Sequence, residues 1–252
     1  FLSSKKTSKI PNISPKQGLK VKTVAIIGAG TMGAGICIAF LRAGYRVILK
    51  EINEKALEIG VNRIVNVINR MLKKMKMNPM ALEYLMRNLV PQITYDHFDT
   101  CQMVIEAAVE NIKIKQSIFS TLEQICNKTC ILATNTSTID IKLVAAKTNA
   151  IDRLVGLHFF SPAHIMPLVE IIKTDQTSAA TIATCVNVSK KIGKTPVVVD
   201  NCVGFTANRA FFPYGQAAAL LLECGVDPYH IDKVLERFGM PMGAFKMADL
   251  SG

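Results

Sequence analysis

Val21 to Ile27 is a strand-sized apolar run rich in Val and Ile, which predicts a buried strand. From Thr31 to Ala43 the apolar positions Met32, Ile36, Ala39 and Phe40 recur at helical spacing, and Gly44 follows as a stop. Arg46 to Lys50 predicts a second strand, completing a βαβ unit of about thirty residues. The helical pattern from Asn53 to Leu89, broken near Asn78-Pro79, is too long for one crossover helix and predicts a helical pair projecting from the domain. Alternation then resumes. Strands are predicted over Met103–Ala107, Cys130–Thr134, Leu154–Phe159, Leu168–Ile172 and Thr195–Val199, and helices over Lys113–Ile125 and Thr177–Ile192. From Gly204 onward the pattern is purely helical, over Phe205–Cys224 and Pro228–Phe238. Residues 1–20 carry Ser, Lys, Pro11, Pro15 and Gly18 without a period and read as a linker. The expected organisation is therefore a linker at 1–20, an α/β domain at 21–200 and the start of an all-α domain at 201–252, with the boundary near Asp200-Asn201.

Composition narrows the class. Half of the 252 residues are apolar and 19% are charged, enough for a sizeable core and too apolar for global disorder. No apolar run reaches membrane-span length. The net charge of +11 attracts polyanions, but aromatics are only 6% and no basic run is interleaved with them, so no nucleic-acid or membrane partner is argued. Many lysines sit at Lys5, Lys6, Lys9, Lys16, Lys20 and Lys22, and around Lys73, Lys74 and Lys76; a phosphate-bearing small ligand or solvated helix faces account for them. Seven cysteines, an odd number with no Cys-x-x-Cys, point to a reducing compartment, and no metal site is argued. The chain begins with Phe1, has no secretory signal, and reads as a piece of something longer.

The chemistry starts at Gly28-Ala-Gly30-Thr31-Met32-Gly33, a dinucleotide fingerprint in strand–turn–helix context. Gly28 permits the tight turn, Gly30 lets the backbone approach a pyrophosphate, and Gly33 allows the helix to pack on the strand. The fold expected is a Rossmann-type doubly wound sheet. Glu51, eighteen residues after Gly33, can accept hydrogen bonds from the adenosine ribose and repel a 2′-phosphate, favouring NAD as cofactor over NADP. Glu110 and Lys115 follow the fourth expected strand, where the nicotinamide half belongs. Asn135-Thr136-Ser137 follows a strand in the same sense, so Ser137 can offer its hydroxyl to the crevice. His158 ends a strand before Phe159-Phe160-Ser161-Pro162; by itself it also fits a satisfied core histidine. Glu170 is charged inside the apolar strand Leu168-Val169-Glu170-Ile171-Ile172, where a carboxylate needs a partner, and His158 suits. Asn208 opens the helical part in Gly204-Phe205-x-x-Asn208-Arg209, where an ordinary helix-start contact is the alternative. A hydride acceptor together with a His–carboxylate pair is the equipment for oxidising a secondary alcohol.

Taken in order, Gly28 to Gly33, Glu106-Ala-Ala-Val-Glu110-Asn111, Asn135-Thr136-Ser137, His158 to Pro162, Glu170 and Gly204 to Arg209 resemble the L-3-hydroxyacyl-CoA dehydrogenases over residues 21–252. Met240-Pro-Met-Gly243 and Asp249-Leu-x-Gly252 share the resemblance. It implies His158 as general base and Glu170 as its partner. It implies Ser137 and Asn208 on the substrate oxygen, Glu110 and Lys115 on the nicotinamide side, and Lys73 or Lys74 near the phosphates of a 3-hydroxyacyl-CoA substrate. Single-function members usually have Asn where this chain has Ser161; His158-Phe-Phe-Ser-Pro-Ala-His164-Ile-Met instead resembles the dehydrogenase portion of plant-type peroxisomal β-oxidation multifunctional proteins. Thr7-Ser8-Lys9-Ile10-Pro11 is similar to their linker after an enoyl-CoA hydratase domain.

That resemblance implies NAD-dependent oxidation of L-3-hydroxyacyl-CoA beside an upstream hydratase domain, in peroxisomes, with a mitochondrial or bacterial cytoplasmic setting as alternatives. Two other readings stay open: an NAD dehydrogenase of a free hydroxy acid, and a crystallin-like relative that binds NAD without turnover. A helical domain ending at Gly252 is expected to be incomplete, and the isolated chain to bind NADH while turning over slowly.

Overall fold

The computed structural model describes Thr7, residues 10–75, Asn78 and residues 80–251. Lys5, Lys6, Lys9, Lys76, Pro79 and Gly252 lie outside the described residues, as does Ser8 of the segment compared with a hydratase linker.

One eight-stranded sheet organises residues up to Cys202, in the order β3-β2-β1-β4-β5-β6-β7-β8. Its strands are β1 (Thr23–Ile27), β2 (Arg46–Lys50), β3 (Leu89–Gln92), β4 (Met103–Glu106), β5 (Ile131–Thr134), β6 (Leu154–Phe159), β7 (Leu168–Lys173) and β8 (Thr195–Asp200). The first six are parallel. β7 is antiparallel to β6 because only residues 160–167 join them, too short a link for a crossover helix. The order reverses between β1 and β4, which opens the crevice of a doubly wound sheet at their carboxyl ends.

Helix α1 (Thr31–Arg42) follows β1 and buries Ile36, Ile38, Phe40 and Leu41 against the sheet. The predicted helical pair is α2 (Glu54–Met75) and α3 (Met80–Met86). It does not stand clear of the domain: Ile64, Ile68 and Leu72, four residues apart, bury one stripe of α2, and α2 packs on α1. The pair returns through β3, which the pattern does not announce. Pro91 sits inside it, and β3 is the edge strand, where a missing N–H is tolerated. Helices α4 (Ile112–Ile125), α5 (Ile141–Ala145) and α6 (Ala179–Lys191) complete the layers.

Residues 14–19, read as linker, dock on α6. Ser14 and Gln17 form a reciprocal cap around a single 3-10 turn, Asn187 donates to the Pro15 carbonyl, and the Leu19 N–H donates to Thr184.

Residues from Val203 onward form a second compact unit. It contains α7 (Ala207–Glu223), α8 (Pro228–Phe238) and α9 (Ala244–Ser251), the last unexpected from the sequence. Buried Asp232 of α8 accepts hydrogen bonds from the N–H groups of Phe245 and Lys246, capping α9 from a neighbouring helix.

Candidate active site

The glycine turn explains itself sterically. Gly28 has φ +97°, in the left-handed region, and a Cβ there would stand 2.5 Å from the Ala107 carbonyl oxygen. A Cβ on Gly33 would lie 1.8 Å from the Gly28 oxygen. At Gly30 the same construction meets nothing within 4 Å. Gly30 is also the N-cap of α1 and supplies no capping side chain, so the first-turn N–H groups around Thr31, Met32 and Gly33 face that open space. This is the shape of a backbone cradle for phosphate oxygens. Glu51 follows β2, and its carboxylate accepts from the Ala29 N–H at 2.5 Å and from Ile52 at 2.9 Å. The Lys50 ammonium donates to the Glu51 main-chain carbonyl at 3.3 Å and lies 4.5 Å from the centre of the Tyr95 ring. Arg63 of α2, which the sequence pattern does not single out, donates to the Ala29 carbonyl at 2.8 Å.

Glu106 ends β4 and is fully buried. Lys115, one turn into α4 and 1% exposed, reaches it with Nζ 2.8 and 2.9 Å from the two carboxylate oxygens. The same ammonium is 3.2 Å from Glu110, which is 44% exposed. Glu110 in turn accepts from the Thr136 hydroxyl and from the Ser137 N–H. Burial pushes the Glu110 carboxyl up, but the Thr136 hydroxyl, Lys115 and the Ser137 N–H together outweigh it and hold Glu110 below the usual carboxylate range. The structure thus joins Glu110, Lys115 and Ser137 in one network, to which Glu106, Thr134 and Thr136 belong as well.

His158 and Glu170 are directly opposite each other in the antiparallel β6–β7 pair. Nδ1 of His158 lies 2.9 Å from Oε2 of Glu170, and their side chains are 6% and 1% exposed. The Phe159 N–H donates to the Asn135 side chain, which ties the end of β6 to the Ser137 turn. Phe160 packs its ring 4.5 Å from the imidazole. His164 in the following loop is held below the ordinary histidine range by burial and by Lys194, Arg42 and Arg70.

Lys73 and Lys74 are exposed in the last turn of α2. Lys73 lines an open cavity of about 660 Å³ with Asn66, Asn69 and Arg70; Lys74 does not. Asn208 lies in the first turn of α7, in the second unit.

Comparison with known proteins gives three consistent findings. The model of the 3-hydroxyacyl-CoA dehydrogenase NAD binding domain matches residues 23–202, and that of the 3-hydroxyacyl-CoA dehydrogenase C-terminal domain matches residues 204–252. The peroxisomal fatty acid beta-oxidation multifunctional protein MFP2 of Arabidopsis thaliana and the glyoxysomal multifunctional protein MFP-a of Brassica napus are each 51% identical over 255 residues, covering 100% of this chain. The chain spans only 35% of the length of each. Among solved structures, 3-hydroxybutyryl-CoA dehydrogenase of Escherichia coli K12 superposes with a TM-score of 0.87 at 36% identity, over 93% of this chain and 50% of that one.

Proposed function

The chain belongs to the 3-hydroxyacyl-CoA dehydrogenase family, and from that membership we propose that it oxidises L-3-hydroxyacyl-CoA to 3-oxoacyl-CoA with NAD, as the dehydrogenase part of a β-oxidation multifunctional protein. The His158–Glu170 pair carries this reading, because it puts a buried proton acceptor and its carboxylate partner on an NAD-binding fold. The names of the plant relatives support a peroxisomal setting, and the 35% of their length that the chain spans supports a further domain in the same polypeptide, which the linker-like Thr7–Pro11 segment makes an enoyl-CoA hydratase.

The glycine turn fits a dinucleotide: open space over Gly30, first-turn N–H groups of α1 beside it, and the Glu51 carboxylate tied to the turn through the Ala29 N–H, where it suits the ribose hydroxyls. Against a 2′-phosphate that carboxylate is repulsive, which favours NAD over NADP. When bound, NAD supplies the acceptor for the hydride that leaves the alcohol carbon. His158 takes the proton of the 3-hydroxyl on the ring nitrogen not turned to Glu170. Glu170 fixes the tautomer and stabilises the imidazolium that forms. Ser137 holds the substrate oxygen, which gathers negative charge as the proton leaves; for Asn208, in the second unit, the same part rests on family membership alone. Glu110 and Lys115 border the nicotinamide side. Lys73, with Arg70, Asn66 and Asn69 on the same face of α2, meets the phosphates of coenzyme A; Lys74 stands beside them. That cationic face favours a CoA ester over a free hydroxy acid.

Steady-state assays with NADH on the full-length protein separate the readings. Reduction of acetoacetyl-CoA and not of free acetoacetate is expected. Equal rates with both would make the chain a hydroxy-acid dehydrogenase, and NADH binding without turnover of either would make it a non-catalytic relative.

A further inference from the structure

Glu106 is fully buried, and no step above uses it. Its Oε1 accepts from Lys115 at 2.8 Å and from the Ala108 N–H at 2.8 Å; its Oε2 accepts from Lys115 at 2.9 Å and from the Thr134 hydroxyl at 2.7 Å. Such a pair is a poor device for stability alone, since well-packed apolar residues of similar volume often do as well. What an apolar pair could not do is hold an ammonium at a fixed place. Lys115 continues to Glu110, and Glu110 holds the Thr136 hydroxyl and the Ser137 N–H. Glu106, Lys115, Thr134 and Thr136 are buried, while Glu110 and Ser137 reach the surface. The flexible stem of Lys115 would follow Glu110 if the buried end did not anchor it. Ala108 gives the carboxylate a second hold on the loop after β4, whose Ala107 carbonyl lies against Gly28.

We propose that Glu106 is a positioning residue of the dehydrogenase reaction: acting through Lys115 and Glu110, it sets where the Ser137 turn stands in the crevice. The proposal rests on the assignment of Ser137 and Glu110 to the active site made above. A displacement of about 1 Å in a substrate-positioning group can lower the rate roughly a hundredfold, so the anchor acts on turnover more than on cofactor affinity.

The test is a double-mutant cycle in the full-length protein with Glu106→Gln, Glu110→Gln and the double variant. It reads kcat and KM for acetoacetyl-CoA and the Kd of NADH by fluorescence. Glu106→Gln should lower kcat roughly 10- to 100-fold and leave the NADH Kd within about threefold, because the adenosine half is held elsewhere. The double variant should be no slower than Glu110→Gln by more than about twofold, since both act along one chain of contacts. A folded Glu106→Gln enzyme within about twofold of wild-type turnover, or fully additive losses in the double variant, overturns the proposal. A Glu110→Gln enzyme with wild-type turnover overturns the underlying site assignment and Glu106 with it. A slow Glu110→Gln beside a fast Glu106→Gln sinks the Glu106 role alone. Where Glu106→Gln does not fold, Glu106→Asp replaces it in the cycle, because it keeps the charge and shortens the reach to Lys115. It should slow kcat several-fold at unchanged NADH affinity, and an unchanged kcat in that variant overturns the proposal equally.

Discussion

Replacing Glu170 by glutamine tests the carboxylate's part in proton transfer with little change in shape. The side chain is 1% exposed, and Oε2 lies 2.9 Å from Nδ1 of His158 in directly opposed register. Water therefore does not substitute for the lost charge. In the proposed reaction His158 takes the substrate proton, and its hydrogen bond to Glu170 becomes one between ions. Hydrogen bonds to charged groups are worth about 1.5–3 kcal/mol. At about 1.4 kcal/mol per factor of ten, losing the charge-assisted part should lower kcat roughly 10- to 150-fold. NADH affinity should hold, because the glycine turn and Glu51 are separate from this strand pair. The assay is oxidation of L-3-hydroxybutyryl-CoA followed by gain of NADH absorbance, with NADH binding and thermal melting measured on the same sample. A folded Glu170→Gln enzyme that turns over within about twofold of wild type would refute the argument that the carboxylate stabilises the imidazolium.

Three further outcomes are expected. His158→Gln should keep the fold and NADH binding but lower turnover by about two to four orders of magnitude, and a loss of only a few-fold would remove His158 from the role of base. The unmodified enzyme should prefer NAD, and Glu51→Ser or Glu51→Arg should relax that preference; equal efficiency with NADP from the start would contradict it. Glu110 titrates below the usual range in the folded chain, so its contribution to stability is present above the ordinary Glu value of about 4.3 and is lost as pH falls through the lower folded value. The melting-temperature gap between wild type and Glu110→Gln should accordingly close on acidification below about pH 4, and a gap that widens there would refute the sign.

How much of this was legible in the sequence depends on how local each feature is. The β1–α1–β2 unit is legible because its apolar runs, its glycines and Gly44 all act within a few residues of themselves. β3 is hidden by Pro91, which argues against a strand unless the strand is known to be at an edge. α9 is hidden because its first turn is capped by Asp232, which belongs to another helix. His158 and Glu170 stand out as polar residues in apolar strands, and two such anomalies within one short hairpin suggest each other. The Lys115 network gives no comparable signal. A lysine in an amphipathic helix reads as solvent-facing, and its buried partner on β4 is fixed in turn by Thr134 on β5, 28 residues further along the chain. Glu106 and Thr134 both end short apolar strands, so a polar residue there looks like the last step before a loop.

The antiparallel β6–β7 joint is what brings His158, the proposed proton acceptor, and Glu170 together. Ile27, Glu106, Thr134 and Gly156 lie in register across β1, β4, β5 and β6, so the polar ends of β4 and β5 share one edge with the glycine turn that follows β1. His158 stands two residues beyond Gly156, at that same edge. A parallel β7 would begin at the far edge and would need a crossover of a dozen or so residues before any of its side chains could meet His158. Residues 160–167 instead turn the chain back at once, and the third residue of β7 falls opposite the imidazole. The pairing leaves no tolerance for slippage. A shift of one residue would set Val169 or Ile171 against His158 and send Glu170 to the other face of the sheet. The flanking residues Leu157, Phe159, Val169 and Ile171 are all buried, so the apolar packing that fills the core is also what holds the His158–Glu170 register.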